Sequence, residues 1–209
     1  MEKSQTFWDK NAGRYDAFMR KDAAAYGQLY ELLRPVVRRK TVLELATGTG
    51  LIAKNLVSSA NHIEATDASA EMVAEARRDN QSAKLHCSVQ DMFRLLYANE
   101  SFDVVVVANA LHIVPEPQKA LSEIRRVLRD DAVLVAPTFT HADNSLSGKV
   151  KAFFMKLAGF PLHSRWTSKE YLAFLRENSW TVRKSTVLKA SFPLTYAECL
   201  KTEVRYVVL

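Results

Sequence analysis

The chain has 209 residues, 48% of them hydrophobic and 25% charged, which suits one domain with a full core, residues 1–209, and leaves too little for two. That balance excludes long disorder, and no run of ~18 apolar residues is available to span a membrane. The formal net charge is +6, but Arg38-Arg39-Lys40, Arg77-Arg78 and Arg125-Arg126 are scattered, favouring solvated faces over a nucleic-acid stripe.

Residues 1–40 read as a helical cap, with Phe7, Trp8, Tyr15, Phe18 and Met19 about a turn apart. The opening Met-Glu-Lys-Ser-Gln starts no signal peptide. Cys87 and Cys199 show no CxxC spacing and suit buried thiols in a reducing cytoplasm. Short apolar runs then alternate with helical patterns. Strands are predicted at 41–46, 62–66, 84–89, 103–108, 133–138 and 181–188, and helices at 51–58, 69–80 and 117–129. Asp67 and Ser69 can cap the second of these helices. Val104 to Val107, with Ala108, reads as a central strand buried on both faces. This alternation predicts an α/β fold: a mostly parallel sheet with helices on both faces.

Residues 139–170 interrupt the pattern as a substrate-side insertion. Within it Val150, Phe153, Phe154 and Leu157 form an apolar stripe opposed by Lys149, Lys151 and Lys156. Three readings stay open: a helix packed on the core, a lid over an apolar substrate, or a membrane-surface helix.

In an open α/β sheet, ligands bind beyond the C-terminal strand ends. The first strand end carries Glu44, the second Asp67, the third Gln90-Asp91, and the fourth Asn109-Ala110-Leu111-His112. Gly48 and Gly50 follow the first strand and bring backbone close to a ligand. That glycine spacing fits a dinucleotide or an adenosyl cofactor. Asp67 would take ribose hydroxyls in either. Glu44 separates the two. A carboxylate ~6 Å from a unit charge at an effective dielectric of ~20 is worth ~3 kcal/mol, repulsive for a pyrophosphate and attractive for a sulfonium and ammonium. Asp91 suits the exocyclic amine of adenine as an acceptor.

The ordered segments "VLELATGTG", "IEATDAS", "SVQDMF", "FDVVVVANALHIVPEP" and "ALSEIRRVLRDDAVLVAP" resemble the successive motifs of the class I S-adenosylmethionine-dependent methyltransferases. The opening "FWDKNAGRYDAFM" resembles the subgroup of ubiquinone/menaquinone-biosynthesis and phospholipid methyltransferases. The resemblance implies a Rossmann-like seven-stranded sheet whose last strand, 194–201, is antiparallel. It implies S-adenosylmethionine as cofactor and S-adenosylhomocysteine as product, with no metal. Position by position, it assigns cofactor contacts to Tyr15, Glu44, Ala46, Thr47, Gly48, Gly50, Asp67, Ala68, Met72, Gln90, Asp91, Met92 and Asn109. Glu44 would anchor the loop and the ammonium region, Met72 would pack beside adenine, and Tyr15 would close over the site. Ala46 stands where the family usually has a first glycine. Its methyl requires φ below zero or a strained turn.

Methyl transfer is an in-line displacement, so the protein must align the acceptor, exclude water and, for a hydroxyl, remove a proton. His112 is the candidate base; a structural histidine capping the next turn is the alternative. Trp8, His141, Phe153, Phe154, His163 and Trp166 are candidate substrate residues, with packing or rim roles as the alternative. "ANAL" replaces the Asp/Asn-Pro-Pro-aromatic motif of amino methylation, so the expected acceptor is a small, rather apolar molecule and no nucleic acid. The other readings are a lipid or quinone methyltransferase in peripheral contact with a membrane, a non-catalytic adenosylmethionine-binding protein and, last, a protein that binds NAD.

Overall fold

A computed structural model describes residues 2–141 and 163–202, with backbone alone at 2–6, 14 and 18. Five strands, β1 (Thr41–Leu45), β2 (His62–Asp67), β3 (Leu85–Val89), β4 (Phe102–Val107) and β5 (Leu128–Val135), run parallel in the order β3-β2-β1-β4-β5. β6 (Thr138–Phe139), β7 (Trp180–Leu188) and β8 (Leu194–Lys201) complete the sheet. β8 is antiparallel to β5, β6 and β7.

β5 and β6 lie in line along β8, with Val135 opposite Glu198 and Thr138 opposite Thr195. Pro137 has no N–H to give to the ladder and interrupts them. Taken as one broken strand, they leave a seven-stranded sheet whose last strand in sequence is antiparallel, as the resemblance implied.

Among the described residues the helices are α1 (Glu2–Met19), α2 (Ala23–Val37), α3 (Leu51–Leu56), α4 (Ala70–Arg77), α5 (Pro117–Val127) and α6 (Ser168–Glu177), with a 3-10 turn at Arg20–Asp22. They divide between the two faces by the period of two along the strands. Val42, Val104 and Val106 pack with Leu29, Leu33, Ile52 and Val73 from α2, α3 and α4. Leu43, Leu45, Val105 and Val107 pack with Leu121, Ile124, Tyr171 and Leu175 from α5 and α6. Each fully buried aliphatic side chain contributes roughly 1.5–3 kcal/mol, so β1 and β4 are fixed in register from both sides.

Several boundaries differ from expectation: the strand expected at 133–138 runs from Leu128 to Val135, and the helices expected to reach 58 and 80 end at Leu56 and Arg77. The helix predicted to reach Arg129 stops at Val127, because Leu128 already pairs with Phe102 at the start of β5. α6 begins inside the stretch read as an insertion. Its start is a capping box: the Thr167 hydroxyl accepts from Glu170 N–H, and the Glu170 carboxylate accepts from Thr167 N–H. The aromatic stripe at 150–157, including Phe153 and Phe154, lies outside the described residues. Among the described residues no helix is long and apolar enough to cross a membrane.

Candidate active site

The C-terminal ends of β1, β2, β3 and β4 open onto a cavity of about 440 Å³, within the ~300–1,000 Å³ range of small-ligand sites. Its floor is the turn after β1. Ala46 there has φ +51, Gly48 φ +56 and Gly50 φ +76. The expectation for Ala46 offered a negative φ or strain, and the chain takes the strain. Thr47 N–H donates to Thr66 O at 2.9 Å and Gly50 N–H to Thr47 O at 3.0 Å, which holds the turn closed against β2.

The two glycines do different work. A Cβ on Gly50 would meet Ala76 Cβ at 3.2 Å, so Gly50 lets α3 press against α4. A Cβ on Gly48 would meet only the Tyr15 ring, at 3.6 Å, and Met72 Sδ, at 4.0 Å. Gly48 faces the cavity and Gly50 does not.

Asp67 is the best-held polar group on the wall. One carboxylate oxygen accepts from Gly48 N–H and the other from Ser69 N–H, each at 2.9 Å. Burial pushes this carboxyl above the usual aspartate range, although the Ser69, Gly48 and Ala68 amides oppose the shift. Asp91 accepts from Phe93 N–H at 2.9 Å. Gln90 spends its side chain on Ser88, Tyr97 and Leu96 N–H. Asn109, in the left-handed region at φ +53, donates to Tyr26 Oη at 2.9 Å and accepts from Phe139 N–H at 3.0 Å. Gln90 and Asn109 can therefore offer the cavity mainly backbone. Ala68, Met72 and Met92 complete this half of the wall.

α1 forms the roof through Trp8 and Tyr15, whose rings meet edge to face at 6.1 Å. Two polar latches fasten it. Ser69 Oγ donates to Asp9 and Thr49 Oγ1 to Asp16, both at 2.5 Å. Burial and the neighbouring carboxylates raise the Tyr15 hydroxyl well above its usual range, so it stays protonated.

Phe93, Ile113, Val114 and Pro115 add apolar lining, and His163 lines the cavity with them. These residues, apart from His163, were not singled out from the sequence, and neither were Asp9 and Asp16. The signal for the latter was present, because Trp8-Asp9 and Tyr15-Asp16 repeat seven residues apart and so share one helix face.

Several expected residues lie elsewhere. Glu44 and Thr47 are buried behind the turn, off the cavity wall. Burial pushes the Glu44 carboxyl up to about 8, with Asp67 adding to the rise and the Thr47 hydroxyl and the Ala53 amide opposing it. Glu44 is therefore largely protonated at neutral pH, and the charge argument built on it loses its force. The Thr47 hydroxyl makes no hydrogen bond of good geometry.

His112 is also buried off the wall, contrary to a base facing substrate. Its Nδ1 lies 2.8 Å from Thr138 Oγ1, and its carbonyl accepts from His163 and Ser164 N–H at 3.0 and 2.9 Å. Burial pushes it down to about 3, with His141 adding to the shift, so it stays neutral. His141 and Trp166 lie off the cavity wall too. His141 pairs with Thr167 in an isolated bridge, and Trp166 stacks on Phe174 at 4.6 Å.

The wall can still discriminate between ligands. It carries Asp67 and Asp91, and among the described residues no lysine or arginine lines it. Two carboxylates without a cation repel a pyrophosphate. They suit vicinal hydroxyls and an exocyclic amine, with Met72 and Met92 as apolar plates, so the residues present fit an adenosyl group. A larger cleft of about 650 Å³ opens at the other end of the sheet. Among the described residues it has neither a glycine turn nor a carboxylate in its lining, and it is not this site.

Residues 43–136 match a family described as methyltransferase domain. The chain is 30% identical over 157 residues to a demethylmenaquinone methyltransferase of Thermotoga maritima, covering 71% of this chain and 67% of that one. It is 33% identical over 108 residues to the Clavibacter sepedonicus protein of the same name, covering 50% of this chain and 43% of that one, so it spans under half of that relative's length. A DhpI–SAH complex has the same fold, with TM-score 0.73 and 24% identity over 96% of each chain. So has a Haloferax volcanii complex of the Trm112 methyltransferase activator with a methyltransferase, with TM-score 0.81, 18% identity, and 97% and 99% of the two chains covered.

Proposed function

Because the chain belongs to the class I S-adenosylmethionine-dependent methyltransferases, we propose that it methylates a small, largely apolar acceptor in the cavity beneath α1. The observation that carries this reading is the make-up of the cavity: Asp67 and Asp91 with no lysine or arginine among the described residues that line it, together with apolar lining from Phe93, Ile113, Val114 and Pro115.

S-adenosylmethionine, when bound, supplies an activated methyl group. The chain's own residues do the rest. Asp67, fixed by two backbone amides, presents a carboxylate to hydroxyl donors without having to reorganise. Asp91 offers an acceptor for an amine. Met72 and Met92 provide apolar plates, and Gly48 allows close backbone approach. Trp8 and Tyr15 exclude water, and the Asp9–Ser69 and Asp16–Thr49 latches hold them in place. Aligning the acceptor against the methyl donor can contribute ~7–11 kcal/mol. His163 also lines the cavity, and its imidazole is our candidate to receive a proton from the acceptor.

The names of the curated relatives put a quinol-type ring first among acceptors to try. Titration calorimetry with S-adenosylmethionine, S-adenosylhomocysteine and NAD is the first test. The adenosyl ligands should bind and NAD should not; binding of NAD alone would overturn the reading. Turnover with demethylated quinols, followed by mass spectrometry, then tests the acceptor. His163→Ala should lower kcat at least tenfold while leaving cofactor affinity within about twofold.

A further inference from the structure

β1, β2 and β3 begin beside the cleft of about 650 Å³. At ~3.3 Å per residue, the five residues of β1 put this cleft about 17 Å from the cofactor end. Arg34, Arg38, Arg39, Ser59, Asn61 and Lys84 line it. Of the basic groups scattered through the sequence, Arg38 and Arg39 meet here with Arg34 and with Lys84, which comes from 45 positions beyond Arg39.

The cations are only partly committed. Arg34 pairs with Glu31, and Lys84 Nζ gives one hydrogen bond to Ala60 O at 3.3 Å. Arg38 and Arg39 are exposed and make no side-chain hydrogen bond or ion pair among the described residues. Among the described residues no carboxylate lines the cleft. Arg39 also holds φ +58, an unfavourable conformation for a residue with a Cβ. Its N–H is fixed on Ser59 O at 2.9 Å, which ties the arginine pair to the serine side of the cleft.

Helix ends offer a simpler reason for cations here. α2 and α3 both finish at this end of the sheet, and each C-terminus carries roughly half a negative charge. Four cations exceed that demand. The surplus sits in a concavity that also offers hydroxyl and amide donors, not along a continuous stripe.

We propose that this cleft binds a phosphate-bearing ligand. Guanidinium forks match phosphate oxygens in pairs, and Ser59 and Asn61 can complete the shell. The concave shape fits a soluble phosphate compound or a single lipid headgroup presenting the same chemistry.

Pyrophosphate is the probe. Calorimetric titration of the whole protein at low salt should give saturable binding at one site. Arg38→Gln/Arg39→Gln should weaken it at least tenfold, and Lys84→Gln alone should weaken it several-fold. Thermal midpoint and S-adenosylmethionine affinity should stay unchanged in both variants. Co-sedimentation with phosphatidylglycerol vesicles identifies the source. Arginine-dependent sedimentation that pyrophosphate displaces points to the headgroup, and pyrophosphate binding without sedimentation points to a soluble ligand. Absence of binding in both assays, or equal binding by wild type and the folded double variant, would overturn the proposal.

Discussion

Replacing Glu44 with glutamine should abolish a pH dependence that the buried carboxyl imposes on stability. Its ordinary value is 4.5 and its value in the fold about 8. Between these two pH values the folded chain holds a proton that the unfolded chain has released. Stability must therefore fall as pH rises. Below 4.5 both states are protonated and nothing is lost; above 8 both are ionised and the loss is complete. At ~1.4 kcal/mol per pH unit the total is ~5 kcal/mol, of which ~3 kcal/mol is already lost by pH 7. That is a large share of the ~5–15 kcal/mol available to a typical domain. Urea unfolding of the wild type and Glu44→Gln from pH 4 to 9 measures it. The variant should gain on the wild type by ~1.4 kcal/mol per unit across the window, then level off. A constant difference between the two proteins across that range would show that Glu44 is ionised in the fold. Because Glu44 lies off the cavity wall, the folded variant should also keep S-adenosylmethionine affinity within about fivefold. A hundredfold loss would put the carboxylate at the ligand.

His112 acts in the opposite direction. Its value falls from 6.5 to about 3, so the unfolded chain takes up a proton first and stability is lost as pH drops below 6.5. His112→Asn should blunt this acid-side loss in the same titration and leave kcat within a few-fold. Gly50→Ala combines a positive φ with a 3.2 Å approach to Ala76 and should cost ~1–3 kcal/mol in denaturant unfolding. Asp67→Ala should leave the chain folded by circular dichroism and weaken S-adenosylmethionine binding at least a hundredfold by calorimetry. Ala46→Gly relieves a left-handed alanine worth ~1–2 kcal/mol but adds ~0.5–1 kcal/mol of chain entropy. Its thermal midpoint should stay level or rise slightly; a clear fall would mean that the methyl packs better than its φ suggests.

The strands were legible because β1 and β4 are apolar on both faces, a pattern that suits a central parallel strand and little else. The placing of the candidate site's strand-end carboxylates was legible for a related reason. Polar letters placed just after apolar runs have to sit at strand ends, and Asp67 and Asp91 do. What sequence position could not give was burial. Glu44 lies two residues before Ala46, yet it is still inside β1, and its side chain is buried off the cavity wall. His112 follows the same strand end as Asn109, but the turn carries its ring inward to Thr138. α6 went unread although Thr167 and Glu170 spell a capping box, because the stretch before it carries no periodic signal leading into the helix.

The two ends of the sheet now read as one electrostatic arrangement. Parallel strands with returning helices place helix N-termini at the strand C-terminal ends and helix C-termini at the opposite end. The half-charges there are positive at the cavity and negative at the basic cleft. Asp67 stands beside the start of α4, and Arg38 caps the end of α2. Each charge thus begins as a complement to its helices. At the cavity Asp67 is also desolvated, which raises its carboxyl, although the Ser69, Gly48 and Ala68 amides oppose the shift. At the cleft the cations remain in water and keep their charge. The cavity is therefore poised for neutral hydrogen-bond donors and a cationic donor group, whereas the cleft holds an unspent positive field. The same topology that creates the first site leaves the second without an anion of its own.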